Sequence, residues 1–401
     1  MQTHLTESIL NTEDGKEADA ILRKCVHCGF CLATCPTYQL LGDELDSPRG
    51  RIYLVKQVLE GGTPSESTQL HLDRCLTCRN CETTCPSGVE YGRLADIGRR
   101  MVEERVERPL PGRIMRRTLR LVIPFRGRFG PLLRLGQLIR PLLPGGLKRQ
   151  VPVRSRAGVW PVNEHPRTML VLQGCVQPAL APNTNAAAAR VLDRLGIRLV
   201  AARDACCGAV SYHLSAAEEG LEFMRRNIDC WWPHIEAGAE AIVMTASGCG
   251  AMVKEYGHLL RHEPDYAEKA ARVSALTRDL GEVLAEEDLS SLERPTSRAR
   301  VAFHSPCTLQ HGQRVRGVVE SILRNTGFEL TPVADAHLCC GSAGTYSILQ
   351  RGLAERLKGN KLEALQRGDP QVIATANIGC QTHLQSGTDL PVKHWIELLD
   401  G

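Results

Sequence analysis

Cys25-Val-His-Cys28-Gly-Phe-Cys31-Leu-Ala-Thr-Cys35-Pro36 and Cys75-Leu-Thr-Cys78-Arg-Asn-Cys81-Glu-Thr-Thr-Cys85-Pro86 share one spacing, C-x2-C-x2-C-x3-C-P. Three thiolates so closely spaced wrap three irons of a cubane. The chain then turns at Pro, and the fourth thiolate points toward a neighbouring cluster. The spacing therefore predicts two [4Fe-4S] clusters with crossed ligands: Cys25, Cys28, Cys31 and Cys85 for one, Cys75, Cys78, Cys81 and Cys35 for the other. A structural zinc knuckle would ask for neither the third cysteine nor the Pro. His27, inside the first run, is read as an incidental side chain, although a hydrogen bond from it would tune a potential.

Between the runs, Ile52, Val55, Val58 and Leu59 recur at helical spacing, so residues 1–107 are expected to form a mainly helical two-cluster ferredoxin-type domain. The chain of 401 residues exceeds one ordinary domain. Apolar residues make up 43% and aromatic ones only 4%, which favours cores of Leu, Val, Ile and Ala in helices and α/β layers. Seventeen cysteines, an odd number, exclude a fully paired disulfide framework and point to metal or redox work. The polar, acidic start does not read as a secretory signal, and no stretch offers eighteen uninterrupted apolar residues. A soluble, cytoplasmic chain is expected, peripheral at most on the cytoplasmic face of the inner membrane.

Arg108 to Arg156 carries thirteen Lys or Arg, no Asp or Glu, and seven Pro, so 108–165 reads as a basic Pro-rich linker. The net charge is +4, which leaves about −9 outside this segment. Such a segment suits an anionic membrane surface or an acidic partner. Its plainer reading is a solvated arm folded back on its own acidic domain. Nucleic acid is not expected, because nothing aromatic is interleaved with the arginines.

From Arg167 onward the pattern changes. TMLVLQG, AIVMTAS, ARVAFHS and QVIATAN read as buried strands, and NTNAAAARVLDRLG and RGVVESILRNTG as helices closing at Gly. Strands alternating with helices imply a parallel sheet. Cys175, Cys206, Cys207 and Cys249 recur as Cys307, Cys339, Cys340 and Cys380 at offsets of 132, 133, 133 and 131, which marks a duplication over 166–290 and 291–401. The overall expectation is an α+β multidomain protein, with the helical domain followed by a duplicated α/β cysteine-rich domain.

Four cysteines per repeat are enough for a metal centre, and Gly208 and Gly341 let the backbone approach it. A four-thiolate cluster, a single zinc or iron, and thiols that bind nothing permanent are three readings the spacing leaves open. Cys230, beside Trp231 and Trp232, falls outside the register and reads as a buried apolar residue. His213, His304, His311, His337 and His383 lie near the strand ends, where proton transfer to a quinone is conceivable, but each reads first as structural.

The tandem repeats resemble the Cys-Cys-Gly (CCG) domains of heterodisulfide reductase and of iron-sulfur subunits of flavin-linked dehydrogenases. In the fullest version of that motif a C-x-x-C ends the repeat; here Ala246 and Asn377 stand at the missing cysteine. The stretches VHCGFCLATCPTYQLLGDELDSPRGRIYLVKQVLEG, RCLTCRNCETTCPSG, TASGCGAMVKEYG, HLCCGSAGTYS and TANIGCQTHL are similar to the iron-sulfur subunit of bacterial glycolate oxidase, a glycolate dehydrogenase. The resemblance implies an electron-transfer subunit of an oxidoreductase complex, with no catalytic residue of its own. FAD-containing partner subunits would oxidise glycolate to glyoxylate, and electrons would pass toward the quinone pool. The absence of a G-x-G-x-x-G after a predicted strand, and of a P-loop, agrees with a carrier that holds no flavin or nicotinamide. An iron-sulfur subunit of a lactate, glycerol-3-phosphate or heterodisulfide-reductase-like complex is the alternative.

Overall fold

The computed structural model describes residues 1–203, 205–292 and 299–401 and divides into two compact units, 1–117 with 337–357, and 118–336 with 358–401.

The first unit is helical. Its frame is α1 (Glu13–Lys24), α2 (Pro48–Leu59) and α3 (Tyr91–Arg105). Side-chain oxygens close two of their starts: Thr12 accepts from the Gly15 N–H, and Ser47 accepts from the Gly50 N–H with Pro48 at the first helical position. The apolar faces meet in a core containing Ile21, Leu22, Ile52, Val55, Leu59, Leu94 and Ile97. α2 and α3 pack closely at Gly98, where a Cβ would stand 2.4 Å from Val55 Cγ2. Ile52, Val55, Val58 and Leu59, the residues of the predicted helical stripe, are all buried.

The basic segment differs from a plain linker. It forms α4 (Leu110–Val122) and α5 (Arg126–Ile139), a short 3-10 turn (Arg140–Leu142) and a helix at Gly145–Gln150. Pro111 falls in the first turn of α4 and Pro141 in the first turn of the 3-10 segment, where a missing N–H breaks no bond, whereas Pro131 sits inside α5 and removes one helical hydrogen bond. Its start does fold onto acid: Arg108 and Arg116 both reach Asp73, at 2.5 and 3.0 Å. Further on, Leu132, Leu135, Leu138, Ile139 and Leu142 are exposed, Leu138 to 77% and Leu142 to 86%. Among the described residues no helix is long and apolar enough to cross a membrane.

The second unit carries two four-stranded parallel sheets. β1 (Arg167–Val171), β2 (Ile197–Ala201), β3 (Ile242–Met244) and β4 (Thr277–Asp279) are ordered β2-β1-β3-β4. β5 (Arg300–His304), β6 (Glu329–Leu330), β7 (Val372–Thr375) and β8 (Val392–His394) are ordered β6-β5-β7-β8. The topology is the same twice, as the cysteine offsets imply. All four predicted strands appear, and the two predicted helices appear as α6 (Asn183–Arg194) and, in the second repeat, Val318–Asn325. Gly196 and Gly327 follow them with φ of 75° and 102°, the left-handed exit that glycine takes without strain.

Polar ties join the repeats. His394 Nε2–H donates to the Thr245 carbonyl at 2.8 Å while Nδ1 accepts from the Ile396 N–H. Asn377 Oδ1 accepts from the Gly248 N–H at 3.2 Å. Burial pushes His394 down to about 4 from 6.5, the Thr245 bond opposing in part. The fold thus holds neutral imidazole, whereas the unfolded chain protonates below 6.5. Stability is therefore complete above that value and lost as pH falls toward 4, by about 3 kcal/mol in all. Thermal unfolding between pH 7 and 5 should show a falling midpoint, and His394→Gln should flatten part of that slope; equal slopes would contradict it.

Candidate metal centres

The two cysteine runs adopt one local conformation. In each, the first cysteine follows directly on the residue that ends a helix, Lys24–Cys25 and Arg74–Cys75, and two left-handed residues then curl the loop. These are His27 (φ 54°) and Gly29 (φ 86°) in the first run, Thr77 (φ 51°) and Arg79 (φ 57°) in the second. One-turn helices follow at Phe30–Ala33 and Asn80–Thr84. His27 thus serves as a loop residue whose carbonyl accepts from Arg49 Nη1 at 3.4 Å.

The fourth cysteine of each run crosses over. Cys25, Cys28, Cys31 and Cys85 line one cavity; Cys35, Cys75 and Cys78 line a second. Cys81 and Tyr91 line both and form the wall between them. The Tyr91 hydroxyl is buried near the Cys75 sulfur and has no oxygen or nitrogen partner among the described residues. Converging thiols are what a thiolate-bound cluster in each cavity needs.

The cavities differ in charge. Arg51 is 1% exposed and lines the second; its guanidinium donates to the His71 carbonyl at 2.7 Å, to Thr37 Oγ1 at 3.1 Å and to Asp46 at 3.2 Å. Thr37 Oγ1 lies 3.3 Å from Cys35 Sγ. Asp46, fully buried, also takes Arg74 at 2.8 Å. Arg99 donates to the Cys75 carbonyl at 2.6 Å, to the Leu72 carbonyl and to Thr77 Oγ1. Burial alone would raise the Cys75 thiol, but Arg51 and then Arg99 bring it below the ordinary range. Elsewhere burial wins: Cys31 is pushed up to about 11, with Cys25 adding to the effect, and Cys81 rises well above its usual value.

In the first repeat four thiols converge at the carboxyl ends of the strands: Cys175 after β1, Cys206 and Cys207 after β2, and Cys249 on the helix Ser247–Val253 after β3. They form a contact chain, Cys175 with Cys206, Cys206 with Cys207 and Cys207 with Cys249. Asn227 Nδ2 donates to the Cys206 carbonyl and the Tyr256 hydroxyl to the Cys207 carbonyl, both at 2.9 Å. Gly208 has φ of +88°, and a Cβ there would meet the Gly220 carbonyl at 2.7 Å. Thiol-to-thiol hydrogen bonding and burial raise Cys175, and Cys206 and Cys207 are also raised; without metal these groups stay protonated at neutral pH.

The second repeat is distributed differently. Cys307 and Cys380 belong to the second unit, Cys339 and Cys340 to the first. Cys380 lies within 4.8 Å of a ring nitrogen of His304 and takes Asn377 Nδ2 at 3.5 Å, so the position of the missing cysteine carries an amide that touches both repeats. His304 is fully buried and held neutral, chiefly by burial. In the first unit Gly341 N–H donates to Cys339 Sγ at 3.4 Å, and Tyr346 feels both Cys339 and Cys75. His213 ends a short helix after Cys207, His311 accepts from Arg316 at 3.3 Å, and the His337 and His383 carbonyls accept from Asn80 and Ser386. Cys230, half-buried on the helix Ala217–Glu236, packs against the apolar core that also holds Cys206 and Cys207. Arg51, Arg99, Asp46 and Tyr91 carry no motif and were not anticipated; only the charge and the hydroxyl on otherwise apolar helix faces hint at them.

Fold and thiol arrangement define an iron-sulfur protein with a two-cluster domain and a tandem cysteine-rich domain. Residues 21–89 match the family model of the 4Fe-4S dicluster domain, and residues 169–254 and 301–385 that of the cysteine-rich domain. The chain is 58% identical to the glycolate oxidase iron-sulfur subunit of Escherichia coli over all of this chain and 98% of that one. It is 30% identical to the probable glycolate oxidase iron-sulfur subunit of Bacillus subtilis over 92% of this chain and 89% of that one. Lactate utilization protein A of Bacillus licheniformis is 29% identical, over 56% of this chain and 96% of its own. A hypothetical protein from Helicobacter pylori shares the fold, with a TM-score of 0.56 at 10% identity over 99% of this chain and 72% of that one. The chain belongs to the family of glycolate oxidase iron-sulfur subunits.

Proposed function

We propose that this chain is the electron-transfer subunit of a flavin-dependent glycolate dehydrogenase, relaying electrons from FAD-containing partner subunits toward the quinone pool. The observation that carries the reading is the pair of thiol cavities sharing the Cys81–Tyr91 wall, on a chain so similar throughout to a glycolate oxidase subunit. Clusters bound there supply one-electron carriers for the two electrons a flavin receives as hydride. The lactate reading has the weaker support, since that relative matches little more than half of the chain. Assembled with its partners, the complex should reduce an acceptor with glycolate in preference to lactate and glycerol 3-phosphate; loss of that preference would refute the assignment.

Cys25, Cys28, Cys31 and Cys85 are proposed to hold one cluster, and Cys75, Cys78, Cys81 and Cys35 the other. Supporting this is the shared lining of each cavity and the helix-turn geometry that brings the fourth cysteine across. Cys85→Ser should therefore disturb the signal of the cluster nucleated by Cys25, Cys28 and Cys31 more than that of its own run, as read by electron paramagnetic resonance. The opposite pattern would exclude crossing.

Cys175, Cys206, Cys207 and Cys249 are proposed as the site of one further metal centre, supported by their mutual contacts and burial. Binding would release their protons, so uptake should favour higher pH. For Cys307, Cys339, Cys340 and Cys380 support is limited to the equivalent strand-end positions.

The route to the quinone pool is proposed to use α5 as a contact with an anionic membrane surface. Phe125 packs on Phe223 at 5.6 Å and Arg126 donates to the Gly174 carbonyl, which anchors the helix start and leaves its leucines outward among cations. The protein should co-sediment with vesicles containing phosphatidylglycerol at low salt, and Leu135→Ser/Leu138→Ser should lower bound protein severalfold. Equal binding by the variant would overturn the contact.

A further inference from the structure

Five cysteines line the first cavity and four the second, Cys81 being common to both, but only the second has a fully buried guanidinium, Arg51, in its lining. On the Cys25 side the nearby cations are Arg49, one third exposed and paired one-to-one with Glu44 at 2.8 Å, and the Met1 ammonium, which donates to the Cys25 carbonyl at 2.6 Å but is no part of the cavity lining. On the Cys75 side stand Arg51 and Arg99. Arg51 shares the single carboxylate of Asp46 with Arg74, so two guanidinia meet one negative charge. Arg99 is 3.9 Å from Asp96 but 2.6 Å from the Cys75 carbonyl. Glu82, a further carboxylate on this side, accepts from the Gly92 N–H and lies beside Arg79.

An electron added to a thiolate-bound cluster adds a negative charge, and nearby positive charge in a low-dielectric surround stabilises it. Water works the other way between the two sites, because Cys28 is exposed whereas Cys35 and Cys81 are buried. Exposure offers one edge of solvent, against only partly compensated guanidinium charge held by direct hydrogen bonds within the second site. The cations prevail.

Resting on the ligand sets proposed above, we infer that Arg51 and Arg99 set an uphill order of reduction potential, making the Cys35/Cys75/Cys78/Cys81 side the higher and the receiving end of the pair. One electron then moves from the Cys25 side to the Cys75 side; no bond forms or breaks and no proton moves. The segment 337–357 gives this end a continuation within the same unit. Asn80 Nδ2 bridges the Thr34 and His337 carbonyls at 2.9 and 3.3 Å, and Arg356 donates to the Leu40 carbonyl. The Cys339–Cys340 pair and Tyr346 come with it. Arg51 and Arg99 are positioning residues in this account, since neither is a cluster ligand.

The test is a redox titration of the full chain in its complex, followed by electron paramagnetic resonance, with iron content checked for every variant. Cys35→Ser and Cys85→Ser assign the signals and by themselves test the ligand sets. The wild type should show two midpoints, the higher one on the Cys75 side. Arg99→Gln and Arg51→Gln should each weaken reduction of that cluster about tenfold, which is about 59 mV downward, and leave the lower midpoint in place. Arg51→Lys, which keeps the charge and a smaller set of bonds, should retain the order even where Arg51→Gln fails to fold. Coincident midpoints, a higher midpoint on the Cys25 side, or iron-replete Arg99→Gln with unmoved potentials would overturn the inference while leaving the ligand sets standing.

Discussion

The crossing of Cys35 and Cys85 is the constraint on which the first unit is built. Each cysteine lies three residues and a tight turn beyond its own run, yet lines the cavity of the other. Two loops can exchange partners this way only if the helices behind them are held at a fixed, short distance. The close packing of α2 on α3 at Gly98 and Val55 supplies that, and so does the buried Asp46, which gathers Arg51 from α2 and His71 and Arg74 from the end of the helix Glu66–Asp73. Removing one partner of such a buried charge network is costly because it strands the rest.

Much of this was legible in the sequence, for a physical reason. Metal-ligating cysteines must sit at spacings set by the size of a cluster, so C-x2-C-x2-C-x3-C-P survives as a readable pattern. The duplicated sheets were legible because parallel strands are buried on both faces and read as short apolar runs. Arg51 and Arg99 were not, since a buried guanidinium on a helix looks like any surface arginine until its partners are known. The helices of the basic segment were masked by proline, which reads as a breaker although Pro111 falls in a first turn and α5 runs on through Pro131.

The duplication diverges in its use. In the first repeat the four cysteines converge as a chain of contacting thiols, of which Cys206 and Cys207 are buried and clamped by Asn227 and Tyr256. In the second, Cys380 has a buried histidine, His304, beside it, which the first repeat's chain of thiols does not show. Asn377 shows the same divergence at one residue: at the place where a fifth cysteine would stand, its amide ties Gly248 of one repeat to Cys380 of the other.

The central claim, that the two cysteine runs hold a pair of clusters whatever the repeats bind, is tested most directly by metal analysis of Cys206→Ser/Cys207→Ser purified without oxygen. With the first-repeat site disabled, the account predicts that about eight irons and about eight acid-labile sulfides per chain remain. Zinc in their place, or loss of iron to about four or fewer, would contradict it.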